Sequence, residues 1–397
     1  MENKAKALLK NAPYLLFFTL YWGAASFFEP YLSLFLDFRG LNGAQIGGIH
    51  CALYVITLIA SFFMGYLSDK TGRPKLVLIL TILGAMAATW FTKVSQGLLE
   101  LAVACVLYGF FTAPATDLAD KIAIENTPNA MRFYGIFRMG GSVGYCIGTV
   151  LAGAVIASYG FLTSMDIYIL TMFGCLLTCL CMKSSHRVKE VRKNKVPLSQ
   201  IFKNPKAYYI YGCMAFWGVV GSGGLSYASI YVSKMGYDTN YTATLIAAAM
   251  LGQMLMFLLV PYFLKKLGKE ASISTALVLL FFRIFALTLC RELPLPVVLI
   301  LHLIGGSSEA LMLCAIVALV NDTFSERVSS TAQTLKSVAS KGIGSSLGTL
   351  AIGVMFDHMD AFWVMMLVSL SCLAFASIAW IWHKTLQKRL SLQTVQE

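Results

Sequence analysis

The sequence predicts an all-α polytopic membrane protein, with 12 transmembrane helices arranged as two six-helix bundles. Three observations carry this. The 397-residue chain is 58% hydrophobic and only 13% charged, with a mean hydropathy of +0.72, whereas a soluble domain carries about 25% charged residues. Apolar runs of spanning length follow one another along the whole chain. A glycine pattern in the first half returns in the second at a fixed offset.

A span needs about 20 mostly apolar residues. Runs that meet this fall at 13–36, 44–67, 75–93, 98–119, 133–158, 163–182, 207–232, 240–264, 271–290, 294–320, 330–356 and 360–382. The loops alternate in charge. One side holds Lys4, Lys6 and Lys10, then Lys70, Arg73 and Lys75, then Lys121 and Arg132. It continues with Lys265, Lys266 and Lys269, then Arg327, then Lys384, Lys388 and Arg389. The other side holds little beyond Arg39, Lys93, Lys234 and Arg291. This bias puts both termini in the cytoplasm of a multi-pass plasma-membrane protein, with the N-terminal lysines reading as a start-transfer anchor. The net charge of +12 therefore reports topology rather than nucleic-acid binding. Residues 1–182 form an N-terminal bundle, 183–206 a basic cytoplasmic linker, and 207–397 a C-terminal bundle with a short cytoplasmic tail.

The repeat is explicit. Gly144, Gly148, Thr149 and Gly153 match Gly344, Gly348, Thr349 and Gly353 at an offset of 200. Glycines at this spacing are what close helix crossings need. The polar turn at 65–75 has a weaker partner at 261–269, offset by 196, in which Asp69 becomes Lys265.

Six ionisable residues lie deep in apolar runs: Glu29, Asp117 and Arg138 in the first half, Arg283, Glu309 and Lys341 in the second. Each costs about 2.5–3.5 kcal/mol at the bilayer centre on insertion scales. Structural ion pairs account for one such pair. For all six, a wet central path with a proton or ion relay is the better account, because a buried pair often does no better than apolar packing.

The turn Gly65-Tyr66-Leu67-Ser68-Asp69-Lys70-Thr71-Gly72-Arg73-Pro74-Lys75 resembles the G-x-x-x-D-K/R-x-G-R-R/K signature of the major facilitator superfamily, between the second and third helices. Gly65 permits close helix approach, Asp69 is expected to accept from a neighbouring helix N-terminus, and Gly72 allows the tight turn. Arg73 and Lys75 face the cytoplasm. The resemblance covers the whole chain and implies a gating role for Gly65, Asp69, Gly72 and Arg73.

Spans four and five, with Asp117 and then Arg138 and Tyr145, resemble the lactose permease branch and its phenylpropionate and nucleoside proton symporters. That resemblance makes Asp117 and Arg138 a substrate-binding pair that meets across the cavity. Arg138 would make bidentate bonds. Tyr145 would stack on a ring from the same helix face, and Glu29 is a further candidate contact. Arg283 and Lys341 match family bases on spans nine and eleven. The family histidine of span ten falls on Gly305 rather than His302, and the proton-carrying glutamate on Ser308, beside Glu309. On span eight the family glutamate becomes Gln253, and span seven has no acid to pair with Lys341.

The expected activity is proton-coupled symport of a small organic solute such as a sugar, nucleoside or aromatic acid. Glu309 would carry the proton, tuned by Arg283 and Lys341 with His302 nearby, while Gln253 would add a solute contact. Proton-antiport efflux of drugs or metabolites is the alternative. It is disfavoured because Gly144–Gly153 lacks the proline of the antiporter motif. A receptor on a transporter fold is a further rival. No enzyme is expected, since there is no nucleotide loop, nucleophile motif or metal cluster, and Cys175, Cys179 and Cys181 read as packing residues. The partners are the solute, protons and the bilayer, with no cofactor beyond the proton gradient, and one chain suffices.

Overall fold

The computed structural model describes residues 2–127, 130–183 and 201–394. Among these the chain is helical, without strands. It divides into two compact units. Unit 1 comprises Met1–Leu41, Ala52–Arg192 and Asp238–Ala243; unit 2 comprises Asn42–Cys51, Lys193–Tyr237 and Thr244–Glu397. The bases of the expected linker from Arg187 to Lys195 lie outside the described residues.

In the first half the elements are α1 (Glu2–Ala25), a 3-10 turn (Glu29–Tyr31), α2 (Leu32–Phe38), α3 (Gly43–Thr71) and α4 (Pro74–Val94). Then come α5 (Leu98–Thr112), α6 (Ala115–Asn126), α7 (Ala130–Tyr159) and α8 (Phe161–Cys181). The second half holds α9 (Pro205–Trp217), a π-helical stretch (Gly218–Gly224), α10 (Ala228–Lys234) and α11 (Thr239–Leu267). After these come α12 (Lys269–Thr288), α13 (Leu295–Thr323), α14 (Glu326–Ser337), a second π-helical stretch (Val338–Ser345), α15 (Ser346–His358) and α16 (Ala361–Thr394).

Ten of these segments are long and apolar enough to cross a membrane. The two further expected spans, 13–36 and 207–232, are interrupted. In span one, Pro30 sits at the start of the 3-10 turn and Phe28 leaves the helical region at φ −126°, ψ −56°. Proline has no N–H to give the helix, so a break here is expected. Span seven breaks before α10 without a proline.

The two breaks are copies. Tyr31 precedes α2 at φ −107°, ψ 1°, and Tyr227 precedes α10 at φ −96°, ψ 1°. Both sit in the sparsely allowed bridge region. The Tyr31 hydroxyl donates to the Thr149 carbonyl at 3.2 Å, and Tyr227 donates to Thr349 at 2.9 Å. Both threonines belong to the repeated glycine pattern.

The glycines act as close-approach sites in both units. A Cβ on Gly144 would lie 2.1 Å from the Thr19 carbonyl oxygen, and one on Gly344 would lie 2.1 Å from that of Ala215. The next pair behaves alike: Gly148 would meet Gly23 O at 2.7 Å, and Gly348 would meet Val219 O at 2.6 Å. Every partner is displaced by 196 positions and every glycine by 200. The turns repeat too, with positive φ at Gly72 (62°) and Gly268 (84°).

Helix ends are satisfied by specific groups. Lys75 Nζ donates to the Leu180 and Met182 carbonyls at 2.7 Å each, closing the C-terminus of α8. In unit 2 the Asp357 carboxylate accepts from Gly43 N (2.6 Å) and Ala44 N (2.8 Å), capping α3.

Candidate functional site

In unit 1 the charged residues gather around α6. Pro114 precedes α6, which carries two acids and a base in its first two turns. Asp117 and Asp120 are three residues apart, so they share one face, and Lys121 follows. A hollow of ≈ 170 Å³ is lined by Ser61, Gly65, Ser68 and Asp69 from α3 and by Pro114, Asp117, Leu118 and Lys121. Asp69 accepts from Lys121 Nζ at 2.6 Å, and Lys121 also reaches Ser68 Oγ at 3.4 Å. Asp69, expected to accept from a helix N-terminus, takes an ammonium partner instead. Sequence patterning places that lysine in a loop, but α6 runs on to Asn126 and holds it.

Arg138 is brought to α6 as well. Its Nη2 lies 3.6 Å from Asp120 Oδ2, and Asp120 is the more buried of the two. Asp117, expected to meet Arg138, is one turn before Asp120 and borders the hollow. Tyr145, two turns beyond Arg138 on α7, stands edge-to-face with Trp22 at 6.2 Å. The close fit of Gly141, where a Cβ would lie 2.6 Å from Trp22, seats that indole. Glu29 is exposed at the span-one break and accepts from the Tyr108 hydroxyl at 3.1 Å. Gly65 borders the hollow but makes no close helix approach, since a Cβ there would meet nothing within 4 Å; Gly72 forms the turn that follows, and Arg73 is exposed beside it.

In unit 2, Arg283 on α12 packs against Gly305 on α13, where a Cβ would lie 2.3 Å from Arg283 Cβ. No histidine fits at 305. His302, one turn earlier, is buried, its Nδ1 3.1 Å from the Val298 carbonyl, within electrostatic reach of Arg283. Ser308 is fully buried while Glu309 is exposed, so the acid occupies the neighbouring position that offers it room. Gln253 is half-buried beside Gly252, whose carbonyl accepts from Ser307 at 3.2 Å.

Lys341 is exposed and lies inside the second π-helical stretch. Its carbonyl accepts from the Ser346 hydroxyl at 3.2 Å, five residues on. Lys336, also on span eleven, is half-buried and acts electrostatically on Lys341. Sequence reasoning passes over Lys336 and Asp120 because each sits near the end of its apolar run. The cluster of charge around each is the available signal. Elsewhere Lys269 pairs with Asp322, and Lys93 pairs with Asp166 at 2.5 Å. Among the described residues no three His, Cys, Asp or Glu side chains gather to hold a metal.

The profile described as MFS_1 like family matches residues 12–367. The chain belongs to that family. This makes it a multi-pass transporter of the major facilitator superfamily. It is 24% identical over 355 residues to the uncharacterized transporter YwbF of Bacillus subtilis, covering 87% of this chain and 86% of the relative. It is 21% identical over 345 residues to the sucrose permease of Escherichia coli, covering 80% of each. Among solved structures, that of the nucleoside transporter NupG superposes with a TM-score of 0.81 at 15% identity, covering 94% of this chain and 99% of that one. This last likeness speaks to the fold alone.

Proposed function

We propose that this major facilitator protein is a proton-coupled symporter for a small polar organic solute, with a sugar as the first candidate, and that it works in the plasma membrane as a monomer with both termini cytoplasmic. The supporting observation is the match to a sucrose permease over 345 residues, 80% of this chain. On this reading Arg138, held by Asp120, offers its guanidinium fork to hydroxyls or a carboxylate. Asp117, Glu29 and Gln253 add polar contacts, and Tyr145 with Trp22 presents a ring face. Glu309 carries the proton. A change of surroundings between the two ends of the cycle, with Arg283 and Lys341 as the available bases, loads and releases the proton. The Asp69–Lys121 turn gates the cycle, with Gly65, Gly72 and Arg73 shaping it. The gradient supplies the drive, and no cofactor takes part.

The test is uptake into proteoliposomes with radiolabelled sucrose, a nucleoside and phenylpropionate. An acid-outside gradient should drive uphill accumulation of at least one of them, and a protonophore should abolish it. Equilibration that ignores the gradient, or net export of solute against an inward proton flow, would overturn the reading.

A further inference from the structure

Two exposed stripes have no part in the solute site, one on α3 within unit 1 and one on α11 within unit 2. Ile59, Phe62 and Tyr66 stand out from α3, and Leu255, Leu258 and Tyr262 from α11. Spacings of three and four residues put each trio on one helix face. The trios match position for position at an offset of 196. Tyr66 and Tyr262 are 56% and 57% exposed, so neither ring is covered by the chain.

Each stripe ends in the same polar head. Lys70 Nζ lies 5.9 Å from the centroid of the Tyr66 ring, and Lys266 Nζ lies 5.4 Å from that of Tyr262. Each lysine follows its tyrosine by four residues and stands one residue before the end of its helix. Lys266 also donates to the Tyr262 hydroxyl oxygen at 3.0 Å. That uses one of three ammonium N–H groups and leaves the phenol its own proton to give. Both lysines are exposed. Among the described residues neither meets a carboxylate, and Asp69, beside Lys70, is taken by Lys121 at 2.6 Å. In the second stripe Lys265 holds the position of Asp69, so that head is the more positive.

We propose that each stripe is a binding track for one anionic phospholipid. An acyl chain lies along the apolar residues, and the headgroup phosphate takes the lysine ammonium together with the tyrosine hydroxyl. Position and charge select this occupant. Both α3 and α11 are long and apolar enough to cross a membrane, so the apolar part of each stripe meets lipid chains and its lysine end meets headgroups. A water-soluble anion has no use for the apolar run. A zwitterionic lipid brings its own cation to offset the phosphate. The aromatic ring holds the ammonium in place before the lipid arrives, which lowers the ordering cost of binding. In the orientation proposed above, both heads lie in the cytoplasmic leaflet. Neither the solute nor the coupling enters the argument.

The experiment is native mass spectrometry of the whole protein titrated with phosphatidylglycerol, and separately with phosphatidylcholine carrying the same chains. Phosphatidylglycerol should bind more tightly, in two leading steps. Lys70→Gln and Lys266→Gln should each weaken one step by about fivefold and leave the other, the equivalent of about 1 kcal/mol for a lysine at a lipid surface. The double variant should lose both steps. Tyr66→Leu and Tyr262→Leu keep every charge, yet should weaken their own steps by about two- to fivefold, because the ammonium is no longer held in place. All four side chains are exposed, so melting temperatures in phosphatidylcholine should match that of the parent protein. Equal affinity for the two lipids, or lysine variants that bind phosphatidylglycerol as the parent does, would overturn the proposal. Tyrosine variants of unchanged affinity would also overturn it, by reducing the tracks to diffuse charge. So would displacement of the bound lipid by inorganic phosphate, which would put a free anion at the lysines instead.

Discussion

Units 1 and 2 are built on the same crossing yet carry different chemistry. Gly144 on Thr19 and Gly344 on Ala215 allow the same 2.1 Å approach, and Tyr31 and Tyr227 anchor the same broken spans to Thr149 and Thr349. The charges do not repeat. Glu29 has Leu225 at its counterpart, and Asp69 has Lys265. In unit 1 the acid Asp69 closes α3 and pairs with a base of α6. In unit 2 the base Lys269 opens α12 and pairs with an acid at the end of α13. The π-helical stretches are found in unit 2, on both partners of its glycine crossing. The duplicated part is thus the part fixed by backbone contact, which tolerates no side chain. What lines the polar faces was free to diverge.

The largest effect should come from breaking the shared crossing. Gly144→Leu and Gly344→Leu each drive a side chain into a backbone carbonyl that cannot swing away, so the cost is at or beyond the upper end of the about 1–3 kcal/mol typical of overpacking. Both variants should fail to yield monodisperse protein on size-exclusion chromatography. If one folds normally, the two crossings are not equivalent.

Next come substitutions that separate the units by function. Arg138→Lys in unit 1 keeps the charge but loses the planar fork, and should weaken solute binding by about 10–100-fold, the equivalent of a charged hydrogen bond of about 1.5–3 kcal/mol. Glu309→Gln in unit 2 should leave solute exchange intact and remove accumulation driven by a pH gradient. Binding and counterflow assays on the two variants read the split directly. Should Lys341→Met restore accumulation to Glu309→Gln, Glu309 is a structural partner of that lysine and leaves the proton path.

A smaller effect is expected at the turn. Asp69→Asn removes a partly exposed ion pair with Lys121, worth up to about 1 kcal/mol to stability. Turnover should fall several-fold more than affinity, measured as initial uptake rate against the dissociation constant. Equal losses would move Asp69 from the gate into the binding site.

Much of this was legible in the sequence. The spans, the glycine repeat and the charged positions all follow from residue type and spacing. Three features were not legible. The span-seven break has no proline to mark it, and is held by a hydrogen bond from Tyr227 to a residue 122 positions away. The Arg138–Asp120 and Asp69–Lys121 pairs depend on how α6 is rotated after Pro114, which spacing along one helix does not fix. The π-helical turn that carries Lys341 reads in sequence as ordinary helix, because an extra residue in a turn changes no residue type.

The finest comparison is between the two tyrosines themselves. Tyr31→Phe and Tyr227→Phe keep the ring and remove one neutral hydrogen bond each, a loss of about 0.5–1.5 kcal/mol. The low end applies, because the Thr149 and Thr349 carbonyls lie inside helices and keep their own backbone donors. Tyr227 has a second acceptor within reach, the Gly43 carbonyl at 3.1 Å, but a phenol has one proton to share. The second contact therefore adds little, and both variants should lower the melting temperature by a similar small amount. A clearly larger drop for Tyr227→Phe would mean that the Gly43 contact, and with it the seating of the α3 N-terminus in unit 2, carries stability that unit 1 does not match.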